Sequence, residues 1–227
     1  GKWLAVSLSR GKLSYRKFSH INELVTEYSD AESILIDIPI GLPESAEEAL
    51  KRPDSDLRKL LCARPGSVFN APFRQIATEE DISKAWNISH SLSAKMTPQS
   101  MAFRLSVGQV DAYLQRNPEW KNKLLESHPE YAFVTLNNNR QLIHSKKTLE
   151  GEDERIRILG LYNDGIGDVV DRYKRETTPN RKNADDLLDA ICLAVVGGLG
   201  VKNGFATIPE VPCKDNTGLK MQIVIAK

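Results

Sequence analysis

The chain has 227 residues and a formal net charge of +1, so no overall basic field advertises a nucleic acid, and any such contact has to come from local patches. With 41% hydrophobic and 27% charged residues it has the composition of a globular chain that buries a sizeable core, either one large domain or one domain with an insertion, and not of a disordered one. No apolar run approaches the roughly 18 residues that span a bilayer, the opening GKWLAVSLSRGK is too short and strand-like for a signal peptide, and three widely spaced cysteines, Cys62, Cys192 and Cys213, fit neither a disulfide framework nor a zinc site and point to a reducing cytoplasm.

Residues 3–8 and 12–18 read as two strands of a hairpin around Ser9-Arg10-Gly11. Residues 20–29 read as a helix with Ile21, Leu24 and Val25 on one face. The segment 34–43, ILIDIPIGLP, is a run of β-branched and apolar residues that suits a strand buried on both faces, closed by Pro39, Gly41 and Pro43. Residues 44–62 are helical in pattern, broken near Pro53, and 63–74 form a loop. Helices follow at about 78–95 and 98–117, the second opened by Thr97 as cap and Pro98 in the first turn. Within 122–135, residues 131–136 make a strand candidate. Residues 151–175 are helical and charged, 177–183 read as a linker, 184–199 as a strongly apolar helix, and 219–225 as a final strand.

Three places in this order carry chemistry. Asp37 interrupts the apolar run at its carboxyl end, where open α/β sheets bind ligands. A buried carboxylate there needs a cation, a hydrogen-bond network or a function to compensate it, and the plainer reading is an aspartate turned to solvent at the strand end. Glu126-Ser127-His128-Pro129-Glu130 puts two carboxylates and an imidazole within five residues, next to a proline that belongs at a strand edge or turn. Asp185, Asp186 and Asp189 open the late helix; the 185/189 and 186/189 pairs each share a face, where like charges repel unless a cation bridges them. For Asp185 and Asp186, helix capping and the macrodipole are the competing explanation.

The ordered set IDIPIGLP, RPDSDLRKLL, ARPGSVFNAPFR, ESHPEYAF, SKKTLEGEDERIRIL, DDLLDAICLA and IPEVPCKDNTGLKMQIVIA resembles the DUF429 family, described as predicted nucleases with an RNase H-like fold. The resemblance covers nearly the whole chain. It implies an α/β fold, an RNase H-like mixed sheet flanked by helices in a single domain over 1–227, with a helical insertion at about 75–120. It also implies that the first central strand, with a further Asp, lies upstream of residue 1. The implied activity is hydrolysis of nucleic-acid phosphodiester bonds assisted by Mg²⁺ or Mn²⁺. Asp37, Glu126, Asp186 and Asp189 take the acidic positions as metal ligands, and His128 joins them as a catalytic residue beside Glu130.

For an anionic substrate such as a nucleic acid or nucleotide, Arg52, Arg58, Arg64 and Arg74 crowd the stretch after Asp37, Ser67 lies on the Gly66 loop, and Lys147 precedes the helix at 151. Each arginine has an alternative partner in Asp54, Asp56, Glu47 or Glu48. Two other classes remain compatible. One is a phosphotransferase of the related actin-like kinase architecture, for which Gly165-Ile166-Gly167 and Gly197-Gly198 are the available glycine pairs. The other is a catalytically idle binding module. No membrane contact is expected, and a tail strand left as a sheet edge offers a homodimer contact.

Overall fold

The computed structural model describes residues 3–177 and 184–227. The linker expected at 177–183 falls, apart from Thr177, outside them. The architecture is mixed α/β and rich in helix, with six strands and ten α-helices among the described residues. In place of one mixed sheet, the described strands form three two-stranded sheets.

The chain divides into two compact units and passes between them at Leu35–Ile36, Ser127–His128, Phe205–Ala206 and Val224–Ile225. The first unit holds β1 (Trp3–Ser9), β2 (Lys12–Phe18), α1 (Ile21–Glu27), α7 (Pro129–Leu136), α8 (Leu149–Gly160), α9 (Ile166–Glu176) and α10 (Asp185–Asn203). β1 and β2 pair antiparallel from Trp3–Phe18 to Ser9–Lys12. Arg10 and Gly11 both take positive φ in the two-residue turn, the geometry that matches the twist of a hairpin. α10 is buried on almost every side through Leu187, Leu188, Ile191, Cys192, Leu193, Val195 and Val196, which explains why its sequence is apolar all round rather than striped.

The second unit holds α2 (Ala46–Ala49), α3 (Asp54–Leu60), α4 (Arg74–Thr78), α5 (Ile82–Ser91), α6 (Pro98–Arg116) and β4 (Leu124–Glu126), together with most of the tail hairpin β5 (Phe205–Lys214) and β6 (Lys220–Ala226). The stretch expected as an insertion, about 75–120, is part of this unit, where Phe73, Ile76, Ala85 and Met101 form one apolar cluster and Leu42, Ala77 and Val107 another. α6 starts as expected: the Thr97 hydroxyl accepts from Ser100 N–H at 3.1 Å and Pro98 occupies the first turn.

Two local expectations are corrected. The strand before Asp37 is only three residues, β3 (Ile34–Ile36), and of these only Ile36 is buried; Pro39 and the positive φ of Gly41 turn the chain away at once. Residues 131–136 are not a strand but the body of α7. Pro129 sits in its first turn, and Ala132, Phe133, Val134 and Leu136 are buried, so packing outweighs the β-branched and aromatic propensity of YAFVTL.

Candidate functional site

β3 ends beside β4, where Ser127 N–H donates to the Ile36 carbonyl at 2.9 Å. Asp37, the next residue, is exposed to solvent. This is the plainer of the two sequence readings, and the buried carboxylate nearby is Glu126, on the neighbouring strand.

Glu126 is held by Arg52 in a two-pronged pair: Nη2 to Oε1 at 2.7 Å and Nη1 to Oε2 at 3.0 Å. Oε2 also accepts from Ile40 N–H at 2.8 Å. Arg52 goes on to donate to the Ile40 carbonyl at 2.7 Å, the Gly41 carbonyl at 3.2 Å and Asp54 Oδ1 at 3.0 Å. Its side chain is 1% exposed. The turn after Asp37 is therefore fastened from inside by one guanidinium shared between two carboxylates. Arg52, expected as a substrate contact, is spent on the protein's own loop.

Burial pushes the Glu126 carboxyl up to about 7 against the pull of Arg52, and the Asp54 charge adds to the rise. The Arg52 guanidinium stays charged: burial opposes it, but Asp54 and Glu126 prevail. The sign for stability follows from a folded value above the unfolded one. The contribution of Glu126 is fully present below its unfolded pKa and is lost as pH rises through about 7. Denaturant unfolding from pH 5 to pH 8 should therefore show wild type losing on the order of 3 kcal/mol relative to Glu126→Gln. Parallel pH profiles for the two proteins would contradict it.

Arg58 and Arg74, also expected to meet substrate, are engaged internally. Arg58 donates to the Val68 carbonyl and to Asn70. Arg74 pairs with Asp111 at 3.0 Å, Asp215 at 2.5 Å and Glu44. Ser67 Oγ donates to the Arg64 carbonyl at 2.8 Å, and Arg64 itself is half-buried. Sequence reasoning passed over Glu44, Asp111 and Asp215. For Asp215 the Asp-Asn-Thr-Gly string was an available turn signal, whereas nothing local marks Asp111 as the partner of a residue 37 positions away.

In the first unit, the half-buried His128 immediately precedes α7 without a side-chain capping bond, and Glu130 in the first turn pairs with the fully buried Arg155 at 2.7 Å. Arg155 also lies over the Phe133 ring, 5.2 Å from its centroid. At the start of α10, Asp186 is exposed while Asp185 and Asp189 are half-buried. Asp189 Oδ2 lies 2.6 Å from Lys146 Nζ, and Asp185 Oδ2 lies 2.5 Å from Lys147 Nζ. Burial alone would raise Asp185, but the hydrogen bond and charge of Lys147 hold it below the ordinary carboxylate value. Asp37 and Glu126 thus belong to the second unit, and His128, Asp186 and Asp189 to the first.

Among the described residues no group of three or more His, Cys, Asp or Glu forms a cage for a metal ion. Mg²⁺ seldom needs one, since it keeps several waters and rests on one or two carboxylates plus substrate phosphates. Asp37 and Asp186, exposed carboxylates at a strand end and a helix start, are donors of that kind. All three cysteines are free thiols, and burial pushes that of Cys192 well up, so it is unreactive. No helix among the described residues is long and apolar enough to cross a membrane.

Fold and site define a mixed α/β protein with an exposed aspartate at a strand end and with Glu126, Asp185 and Asp189 each paired with a cation of the chain. The chain belongs to DUF429, a family of proteins of unknown function, whose model matches residues 1–213. No curated protein and no solved structure matches it.

Proposed function

We propose that the chain is a nuclease with an RNase H-like fold, hydrolysing phosphodiester bonds of nucleic acid with Mg²⁺ or Mn²⁺. The observation that carries this reading is Asp37, exposed immediately after β3 where the neighbouring strand also ends. The resemblance to the family gives a ligand role to Asp186 and Asp189 on α10 as well, and the exposure of Asp186 supports it. The ion, when bound, would polarise a phosphate oxygen and lower the pKa of a bound water. Glu126 acts indirectly, by holding the Ile40 peptide and so the turn that follows Asp37. A second reading, a binding module without catalysis, draws on the internal neutralisation of Glu126 and Asp189 by Arg52 and Lys146.

The test is a cleavage screen with Mn²⁺ on single-stranded, duplex and hybrid substrates, using wild type and Asp37→Asn. Metal-dependent cleavage that falls at least about tenfold in the variant is expected. Cleavage indifferent to Asp37, or none on any substrate, would favour the binding module.

A further inference from the structure

Phe69 stands on a loop that the Arg52 network fixes together with the turn after Asp37. Arg52 Nη1 donates to the Ile40 and Gly41 carbonyls, and its Nη2 donates to Asp54 Oδ1. The other oxygen of Asp54 accepts from Ala71 N–H at 3.2 Å. Arg58 donates to the Val68 carbonyl at 3.1 Å and to Asn70 Oδ1, and Asn70 Nδ2 donates to the Lys95 carbonyl at 2.7 Å. Val68, Asn70 and Ala71 are thus tied down around Phe69, which is itself only half-buried. Its ring meets that of Phe103 on α6 edge to face, with centroids 5.9 Å apart and planes at 62°. Phe103 is half-buried too, and it packs against the cluster of Leu42, Ala77 and Val107, as does Ile38, the neighbour of Asp37. All of these residues belong to the second unit.

A braced loop that leaves two phenylalanines half in water gives up burial that a core pair would gain. In an edge-to-face pair one ring keeps both faces out of the contact and the other keeps one. The charges point the same way. Arg52, Arg58 and Arg74 serve the chain's own carbonyls and carboxylates, and the net charge is only +1. Holding a duplex by its phosphates alone takes several such cations. Stacking on aromatic rings supplies affinity without them, and an unpaired strand is the form of nucleic acid that offers the faces of its bases.

We infer that Phe69 and Phe103 form a stacking subsite for an unpaired base, so that the nucleic acid acted on at Asp37 is single-stranded. This rests on the nuclease reading given above.

The experiment is a fluorescence-anisotropy titration of the full chain, with Mn²⁺ omitted, against a short labelled oligo(dT), an abasic strand of equal length and the matching duplex. The proteins are wild type, Phe69→Leu and Phe69→Trp. Wild type should prefer oligo(dT) to both the abasic strand and the duplex, a preference that needs no variant to be read. Phe69→Leu should bind oligo(dT) about tenfold more weakly and the abasic strand no differently, while Phe69→Trp, which keeps an aromatic face, should match wild type. Equal oligo(dT) affinity in wild type and Phe69→Leu, an equal loss on the abasic strand, or a duplex bound as tightly as the single strand would overturn the inference. So would a wild-type dimer that Phe69→Leu dissociates with oligo(dT) binding unchanged, which would make the rings a contact between two copies. Mn²⁺-dependent cleavage that still falls in Asp37→Asn would then leave the nuclease reading standing, whereas neither binding nor cleavage by wild type would overturn both.

Discussion

Replacing Arg52 by alanine is expected to cost about 3–5 kcal/mol of unfolding free energy, a loss typical of breaking a buried ion pair from one side. The guanidinium is the cation for both Glu126 and Asp54 and donates to two carbonyls of the turn after Asp37. Its removal leaves two carboxylates without a counter-charge at 8% and 12% side-chain exposure. The damage should be smaller at pH 5.5 than at pH 8, because a protonated Glu126 no longer needs the missing charge. Adding Glu126→Gln to the arginine variant should recover part of the loss, a coupling read from a double-mutant cycle. Denaturant unfolding at the two pH values measures all of this. A loss below about 1 kcal/mol, which is the range of an exposed pair, would show that the network does not hold the turn.

Replacing Asp215 by alanine should be comparably severe. Its side chain is wholly buried and accepts five hydrogen bonds. Oδ1 takes Thr217 N–H, Thr217 Oγ1 and Leu219 N–H, each at 2.9 Å. Oδ2 takes Leu42 N–H at 3.0 Å and Arg74 at 2.5 Å. One carboxylate thus closes the turn between β5 and β6 and ties it to the segment around Gly41, whose positive φ places it against Lys220 and Met221. Each buried donor stranded by the change costs about 1–3 kcal/mol, so a total of about 3–5 kcal/mol is expected after relaxation. Asparagine is no remedy, because its amide presents donors where the site offers only donors. A midpoint for Asp215→Asn close to wild type in denaturant unfolding would refute this account.

The elements legible in the sequence are those whose signal is local. The 3–18 hairpin has alternating strands around a turn with glycine, α6 has Thr97-Pro98, and α10 has an unbroken apolar run. α4, with five residues, and β5, with Pro209 and Pro212 inside it, lack such a signal. YAFVTL carried the wrong one, since its propensity is that of a strand while Pro129 and the buried surroundings select a helix. The single run read as 151–175 is two helices parted after Gly160, where Asn163 Oδ1 accepts from Gly165 N–H at 2.9 Å and closes a turn.

The candidate site divides in the same way. That Asp37 stands at a strand end, and that aspartates crowd the start of α10, depends on neighbours in the chain, so spacing reveals it. Which carboxylates are neutralised and by what depends on residues far apart: Arg52 and Glu126 are 74 positions distant, Arg74 and Asp215 are 141, and Lys146 and Asp189 are 43. An arginine in a sequence is equally a hand for phosphate and a counter-ion for a buried acid. The hairpin, α6, α10, the family and the places where charge interrupts apolar patterns could be read from residue order alone, because they rest on short-range backbone preference and periodicity. That Glu126 is buried while Asp37 is exposed, and that Arg52, Arg74 and Lys146 face the chain's own carboxylates, emerges only from the folded chain, because desolvation and ion pairing act between groups that folding brings together.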